Sequence, residues 1–173
     1  MSRLRLISLA LAVLLLGGAA PLVGPGPGPA LGAVTHLPVP RFVSLRTDQV
    51  NFRAGPGFQY PVVWVYQRDG LPVEIIGEFD VWRHVMAPDG GSGWVHEATI
   101  RAHRDVYVTA ARATLRDTQN PDSTPLAYLT QGVDASLISC DATSDVCKVS
   151  AHGITGYVAR SDIWGVFAGE SVK

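Results

Sequence analysis

An internal repeat constrains the fold of this chain more than any other feature. Three anchors of the first half recur 63 residues later: Arg53 as Arg116, Gly93-Trp94-Val95 as Gly156-Tyr157-Val158, and Ile100 as Ile163. Two further anchors recur with an offset that differs by one residue, Gly70 as Gly132 and Val85 as Val149. A repeat with a near-constant period indicates that one structural unit occurs twice. The chain has 173 residues, which is enough for two small domains.

Short runs of β-forming residues, separated by turn residues, predict an all-β fold. Residues 62–66 are dense in valine and aromatic side chains, and residues 72–78 alternate, with Val73 and Ile75 on one face. No stretch carries a convincing amphipathic helix. Five short strands in each repeat, the first over residues 43–51, are typical of a small barrel whose closure removes exposed edges. The sequence therefore predicts two tandem barrels, over residues 43–102 and 108–167.

The first 33 residues have the pattern of a secretory signal peptide followed by a Gly/Pro-rich segment. Arg3 and Arg5 precede an uncharged apolar run at residues 6–16, and small residues follow. That run is shorter than the roughly 20 apolar residues that a membrane span needs. We therefore expect a periplasmic or secreted protein that retains no membrane span after cleavage, and an uncleaved N-terminal anchor is the alternative.

The two cysteines, Cys140 and Cys147, are predicted to form a disulfide. An even pair of cysteines in an exported domain favours this interpretation. Asp141, Ser144 and Asp145 between them indicate a turn, which places the cysteines on facing strands of one hairpin. A metal site is the rival interpretation, but no Cys-x-x-Cys motif supports it.

Composition and motifs argue against several other functions. The net charge of −1 gives no basic footprint for nucleic acid. The serines lie in no Gly-x-Ser-x-Gly motif, and His84, His96 and His103 follow no metal-ligand spacing. We therefore expect no catalytic activity, no metal and no cofactor. Glu74, Glu78 and Asp80 are interpreted as a solvated strand face rather than as paired catalytic carboxylates.

The motifs Asn51-Phe52-Arg53-Ala54-Gly55-Pro56-Gly57, Trp82 and Gly93-Trp94-Val95 resemble the bacterial SH3-like (SH3b) domain. The resemblance extends over about residues 43 to 167 and is closest to exported proteins with tandem copies, in which the second copy resembles the segment from Cys140 to Cys147. It implies a small β-barrel that binds peptides, peptidoglycan or partner proteins at the cell envelope. In many members such barrels accompany cell-wall hydrolases, but fold does not determine function.

The candidate ligand-binding residues lie in the first repeat: Phe58, Tyr60, Trp82, Trp94 and Arg53. Phe58 and Tyr60 follow the Gly-Pro-Gly turn, where a long loop would lie beside the barrel. Trp82 and Trp94 either flank the same groove, as SH3-type folds use for extended peptides, or belong to the core. Arg53 either binds a ligand carboxylate or satisfies backbone carbonyls around the turn.

The sequence thus predicts a non-enzymatic binding or adaptor module for peptidoglycan or an envelope peptide or protein. The second repeat is expected to be the structural partner of the first. Two other classes remain as alternatives: a structural scaffold of docked barrels, and an accessory activator of a cell-wall hydrolase. The sequence does not determine the oligomeric state.

Overall fold

The computed structural model describes residues 30–173 and shows an all-β protein, as predicted. The signal-peptide prediction lies almost wholly outside the described residues. Two strands, β1 (Ala30–Leu31) and β2 (Pro38–Val39), pair as an N-terminal strap, residues 30–39, that precedes the main structure.

The rest of the described chain forms two seven-stranded antiparallel sheets. The strands of the N-terminal sheet are, in chain order, β3 (Arg41–Leu45), β4 (Val50–Arg53), β5 (Val62–Tyr66), β6 (Pro72–Phe79), β7 (Trp82–Met86), β8 (Ser92–His96) and β9 (Ile100–Arg101). Those of the C-terminal sheet are β10 (Asp105–Val108), β11 (Arg112–Arg116), β12 (Pro125–Thr130), β13 (Asp134–Cys140), β14 (Val146–Ala151), β15 (Ile154–Ala159) and β16 (Ile163–Trp164). A short 3-10 turn precedes the last strand of each sheet, Glu97–Thr99 and Arg160–Asp162.

No helix within residues 30–173 is long and apolar enough to cross a lipid bilayer.

The two sheets have the same topology. Their spatial orders, β5-β4-β8-β7-β6-β3-β9 and β12-β11-β15-β14-β13-β10-β16, correspond strand for strand. The register agrees as well, because Arg53 pairs with Trp94 in the first sheet and Arg116 pairs with Tyr157 in the second. The single strand expected over residues 43–51 is in fact two strands, β3 and β4, because the chain turns between them.

Each sheet has its own hydrophobic core, built from alternate residues of its strands. The N-terminal core contains Phe52, Val85 and Val95, and the C-terminal core contains Leu115, Val149 and Val158. These six side chains occupy corresponding positions in the repeat. Period-two alternation places every second side chain on the core side and leaves its neighbours on the outer face.

The two sheets also contact each other directly. The Phe42 ring lies 4.8 Å from the Trp164 ring and 4.5 Å from the Phe167 ring. The buried Ser44 hydroxyl donates to the His103 carbonyl at 2.9 Å and accepts a hydrogen bond from the Asp105 amide at 3.2 Å. Aromatic packing and hydrogen bonds therefore join the first strand of the N-terminal sheet to the first and last strands of the C-terminal sheet.

Cys140 and Cys147 form the predicted disulfide. They are directly paired on β13 and β14, with their Cα atoms 4.5 Å apart. The equivalent hairpin of the N-terminal sheet, β6–β7, has no such link. The disulfide therefore staples one hairpin of the C-terminal sheet only.

The interpretation of Glu78 as part of a solvated face is wrong. A bulge shifts the register of β6 on β7 between Ile75 and Gly77, which changes the direction of the side chains beyond it. The Glu78 side chain is completely buried and accepts hydrogen bonds from Thr35 Oγ1 at 2.6 Å, from the Thr35 amide at 2.9 Å and from Arg41 at 2.7 Å. Glu78 thus anchors the N-terminal strap to the sheet.

Glu78→Gln is expected to release the strap. Burial opposes ionisation of Glu78, but the hydrogen bonds from Thr35, Arg41 and Val34 outweigh it and lower its pKa to about 2. Because this pKa is depressed from an ordinary 4.5, the strap contacts are fully present above that pH and are lost as the pH falls towards 2. Hydrogen exchange of the Val34 and Thr35 amides measures the release. Glu74→Gln, a half-buried residue on the outer face of the same strand, is the control and should leave their protection unchanged.

Candidate binding surface

The pairing of β7 with β8 brings four ring side chains onto the outer face of the N-terminal sheet. Trp82 pairs with His96, and His84 pairs with Trp94. Val85, which follows His84, and Val95, which lies between Trp94 and His96, are fully buried in the core, so alternation directs the four rings to the opposite face. This outer face, not the core, is where the predicted tryptophans lie.

The loop of residues 54–61 places Phe58 over two of these rings. The Phe58 ring lies 5.0 Å from the Trp82 ring, edge to face, and 5.9 Å from the His96 ring, which it stacks upon. Trp82 is therefore only 6% exposed, whereas Phe58 is 70% exposed. The sequence left open whether Trp82 is a core residue or a surface residue. The structure shows a third arrangement, a tryptophan buried on the outer face beneath a phenylalanine.

Arg53 holds this loop in place. Its guanidinium donates hydrogen bonds to the carbonyl of Tyr60 at 2.8 Å and to the carbonyl of Phe58 at 3.2 Å. The same group lies 5.5 Å from the Phe58 ring centre, within the range of a cation–π contact. Of the two roles predicted for Arg53, the structure shows the binding of backbone carbonyls.

Gly55 allows Tyr60 to fold back against the loop. A Cβ atom at position 55 would lie 2.5 Å from the Tyr60 ring, closer than real Cβ contacts come. Tyr60 remains 40% exposed. The Gly-Pro-Gly motif therefore serves close packing of a ring on the backbone.

Trp94 lies half-buried beside the Phe58 cluster. Its ring stacks on His84 with centroids 5.0 Å apart and an interplanar angle of 12°. Burial lowers the pKa of His84, so this imidazole is neutral at neutral pH and stacks as an uncharged ring. We call Phe58, Trp82, His84, Trp94 and His96 the aromatic patch.

Sequence reasoning missed the two histidines as members of this patch. His84 and His96 were considered only as possible metal ligands. Within residues 30–173 no group of three or more His, Cys, Asp or Glu side chains could hold a metal ion. Period-two spacing could have identified both, because His84 lies two residues after Trp82 and His96 two residues after Trp94, which places each histidine on the same face as the tryptophan.

The patch offers ring faces and ring edges rather than reactive groups. Such surfaces suit apolar and partly polar ligands, because aromatic side chains bury a large area at low conformational cost. Sugar rings, methyl groups and extended peptides present complementary faces.

Comparison with known proteins identifies a family for part of the chain. Residues 46–102 match the family model of the bacterial SH3 domain. This match confirms the resemblance for residues 46–102, a segment that forms most of the N-terminal sheet. It contains Arg53, the loop of residues 54–61 and every member of the aromatic patch.

One curated relative is the putative N-acetylmuramoyl-L-alanine amidase YrvJ of Bacillus subtilis (strain 168). It is 28% identical over 126 residues, which are 66% of this chain and 24% of the relative. The chain therefore spans about a quarter of the length of this relative.

Two solved structures, NlpC2 and NlpC1 from Trichomonas vaginalis, also show similarity. They are 14% and 16% identical to this chain, and both have a TM-score of 0.34. The matches cover 73% and 81% of this chain and 48% and 51% of the two structures. A TM-score this low does not establish a shared overall arrangement.

Proposed function

We propose that this protein is a non-enzymatic binding module of the cell envelope and that the aromatic patch contacts its ligand. The observation that carries this proposal is Phe58, an exposed ring held over Trp82 and His96. The inner side of this ring packs on Trp82 and His96, but the residue is still 70% exposed, and a bound ligand would bury the apolar surface that the folded monomer leaves in water. Arg53 and Gly55 position the loop that presents the ring.

The proposal includes two SH3-like barrels, over residues 43–102 and 108–167. The shared strand order and the two separate cores support it. Export to the periplasm or beyond is part of the same proposal. The disulfide supports it, because such bonds persist in oxidising compartments outside the cytosol.

Peptidoglycan is the ligand we favour. Bacterial SH3 domains often bind it, and the partial match to a protein named as a putative N-acetylmuramoyl-L-alanine amidase points to the cell wall. Aromatic rings pack well against the apolar faces of sugars and the methyl groups of short peptides. An envelope peptide or protein is the alternative ligand.

Co-sedimentation of the mature protein with purified peptidoglycan sacculi tests this function. We expect the wild type to bind and Phe58→Ala to bind at least about fivefold more weakly, as for loss of a central aromatic contact. Trp64→Ala is the matched control. Trp64 is also exposed, but its pairing with Phe52 places it on the opposite face of the sheet from the patch.

Three outcomes would contradict the proposal. If the wild type does not bind sacculi, the cell wall is not the ligand. If Trp64→Ala weakens binding and Phe58→Ala does not, the aromatic patch is not the contact surface. Release of soluble muropeptides by the purified protein would show that it is an enzyme.

A further inference from the structure

The C-terminal sheet carries the framework of the aromatic patch but keeps only one of its aromatic rings, Tyr157 at the position of Trp94. Arg116 donates to the carbonyl of Ser123 at 2.6 Å, as Arg53 does to that of Tyr60. Tyr157 lies opposite Arg116, as Trp94 lies opposite Arg53. The loops held by the two arginines, residues 54–61 and 117–124, have the same length.

At three positions of this framework the side chains are smaller than those of the aromatic patch. Val146 stands at the position of Trp82, Ala159 at that of His96 and Pro121 at that of Phe58. The space is therefore open, and a pocket of about 230 Å³ lies between these three residues, Arg116 and Tyr157. A recess therefore replaces the rings of Phe58, Trp82 and His96, while Tyr157 keeps the ring at the position of Trp94.

A second pocket, of about 240 Å³, lies on the other side of Tyr157. The two pockets share Gln119, Val146 and Tyr157 as walls. Lys148 lines the second pocket, with its ammonium 5.9 Å from the Tyr157 ring centre. We call the two pockets together the Tyr157 groove.

The ends of the groove differ in charge. The first pocket is lined by Arg116 and Asp162, and the guanidinium of Arg116 is held by the loop carbonyl. The second is lined by Lys148, Lys173 and Asp141. Asp141 accepts hydrogen bonds from the amide and hydroxyl of Thr143, and Lys173 lies close enough to favour its ionised form.

We propose that the Tyr157 groove binds a short extended peptide that ends in a free carboxylate. The carboxylate pairs with Lys148 in the second pocket, and the chain crosses the ring of Tyr157. Backbone N–H groups of the peptide face Asp162 in the first pocket. This charge complementarity determines the direction in which the peptide lies in the groove. Each pocket has room for one small side chain of the peptide. The site is separate from the aromatic patch and does not depend on what the patch binds.

Amide NMR titration with acetylated tetra-alanine tests this proposal. The peptide is used as the free acid and as the C-terminal amide. We expect the free acid to shift the resonances of Tyr157, Gln119 and Lys148, and to bind about fivefold or more tightly than the amide, as for one partly exposed ion pair. Lys148→Gln should remove this difference between the two peptides.

Val146→Trp is the second test, because it places in the groove the residue that the N-terminal sheet has at this position. Val146 lies on the outer face and only part of it is buried, so the core should tolerate the change, and the amide spectrum verifies folding. We expect the folded variant to lose peptide binding, and Trp64→Ala in the other sheet to retain it.

The proposal is overturned if neither peptide shifts resonances of the groove. It is also overturned if acid and amide bind equally, or if the folded Val146→Trp variant binds as the wild type does. None of these results bears on sacculus binding by the aromatic patch.

Discussion

Phe52→Ala is expected to destabilise the N-terminal sheet by about 3–5 kcal/mol, the usual cost of removing a fully buried phenylalanine. Phe52 is 0% exposed and is the largest of the fully buried side chains. Its ring packs 4.5 Å from that of Tyr66 at one side of the core. A unit of this size has a thin core, so few neighbours can move to fill the cavity.

Two variants serve as controls for this prediction. Phe79→Ala removes a phenylalanine that is exposed on β6, and we expect a change within about 0.5 kcal/mol. Leu115→Ala removes the equivalent core residue of the C-terminal sheet and should cost about 2–5 kcal/mol there. Urea denaturation gives the free energies, and amide hydrogen exchange shows which sheet each variant loosens. A cost below about 1 kcal/mol for Phe52→Ala would contradict the assignment of the core.

Loss of the disulfide is expected to destabilise the C-terminal sheet by about 2–3 kcal/mol. Cys140 and Cys147 are separated by seven positions, and the chain-entropy relation gives this value for so short a loop. For a domain of this size the change corresponds to a fall in Tm of about 10 °C or more. The loss should affect β13 and β14 first, because the bond joins only that hairpin.

Reduction with dithiothreitol and the Cys140→Ser, Cys147→Ser double variant should give the same result. Calorimetry measures the Tm, and hydrogen exchange locates the change. Protection in β6 and β7, the equivalent hairpin without a disulfide, is the internal control and should change less. An equal loss of protection in both sheets would show that the two unfold as one unit.

Much of the fold could be predicted because it depends on local and periodic information. Alternation of apolar residues gave the strands around Val73 and Ile75, and the repeat placed Arg53 and Arg116 at equivalent positions. The cysteine pair predicted a staple on one hairpin. Each of these features is set by neighbours in sequence or by a spacing that the sequence displays directly.

The candidate site could be predicted only in part, because it depends on which face each residue occupies. The motifs identified Phe58 and Trp82 as candidates, but they did not show that one ring covers the other. It also missed the burial of Glu78, since a bulge in β6 reverses the direction of side chains without disturbing the apolar pattern. Loop geometry and register shifts arise from long-range pairing, which alternation does not encode.

Amide and aromatic NMR of the folded protein, titrated with soluble muropeptides from digested sacculi, tests whether the aromatic patch is the ligand-binding surface of the bacterial SH3 domain. We predict shifts at Phe58, at the indole N–H groups of Trp82 and Trp94, and at His96, with Trp64 unchanged. Saturable shifts elsewhere in the N-terminal sheet, with the patch resonances unmoved, would contradict this prediction.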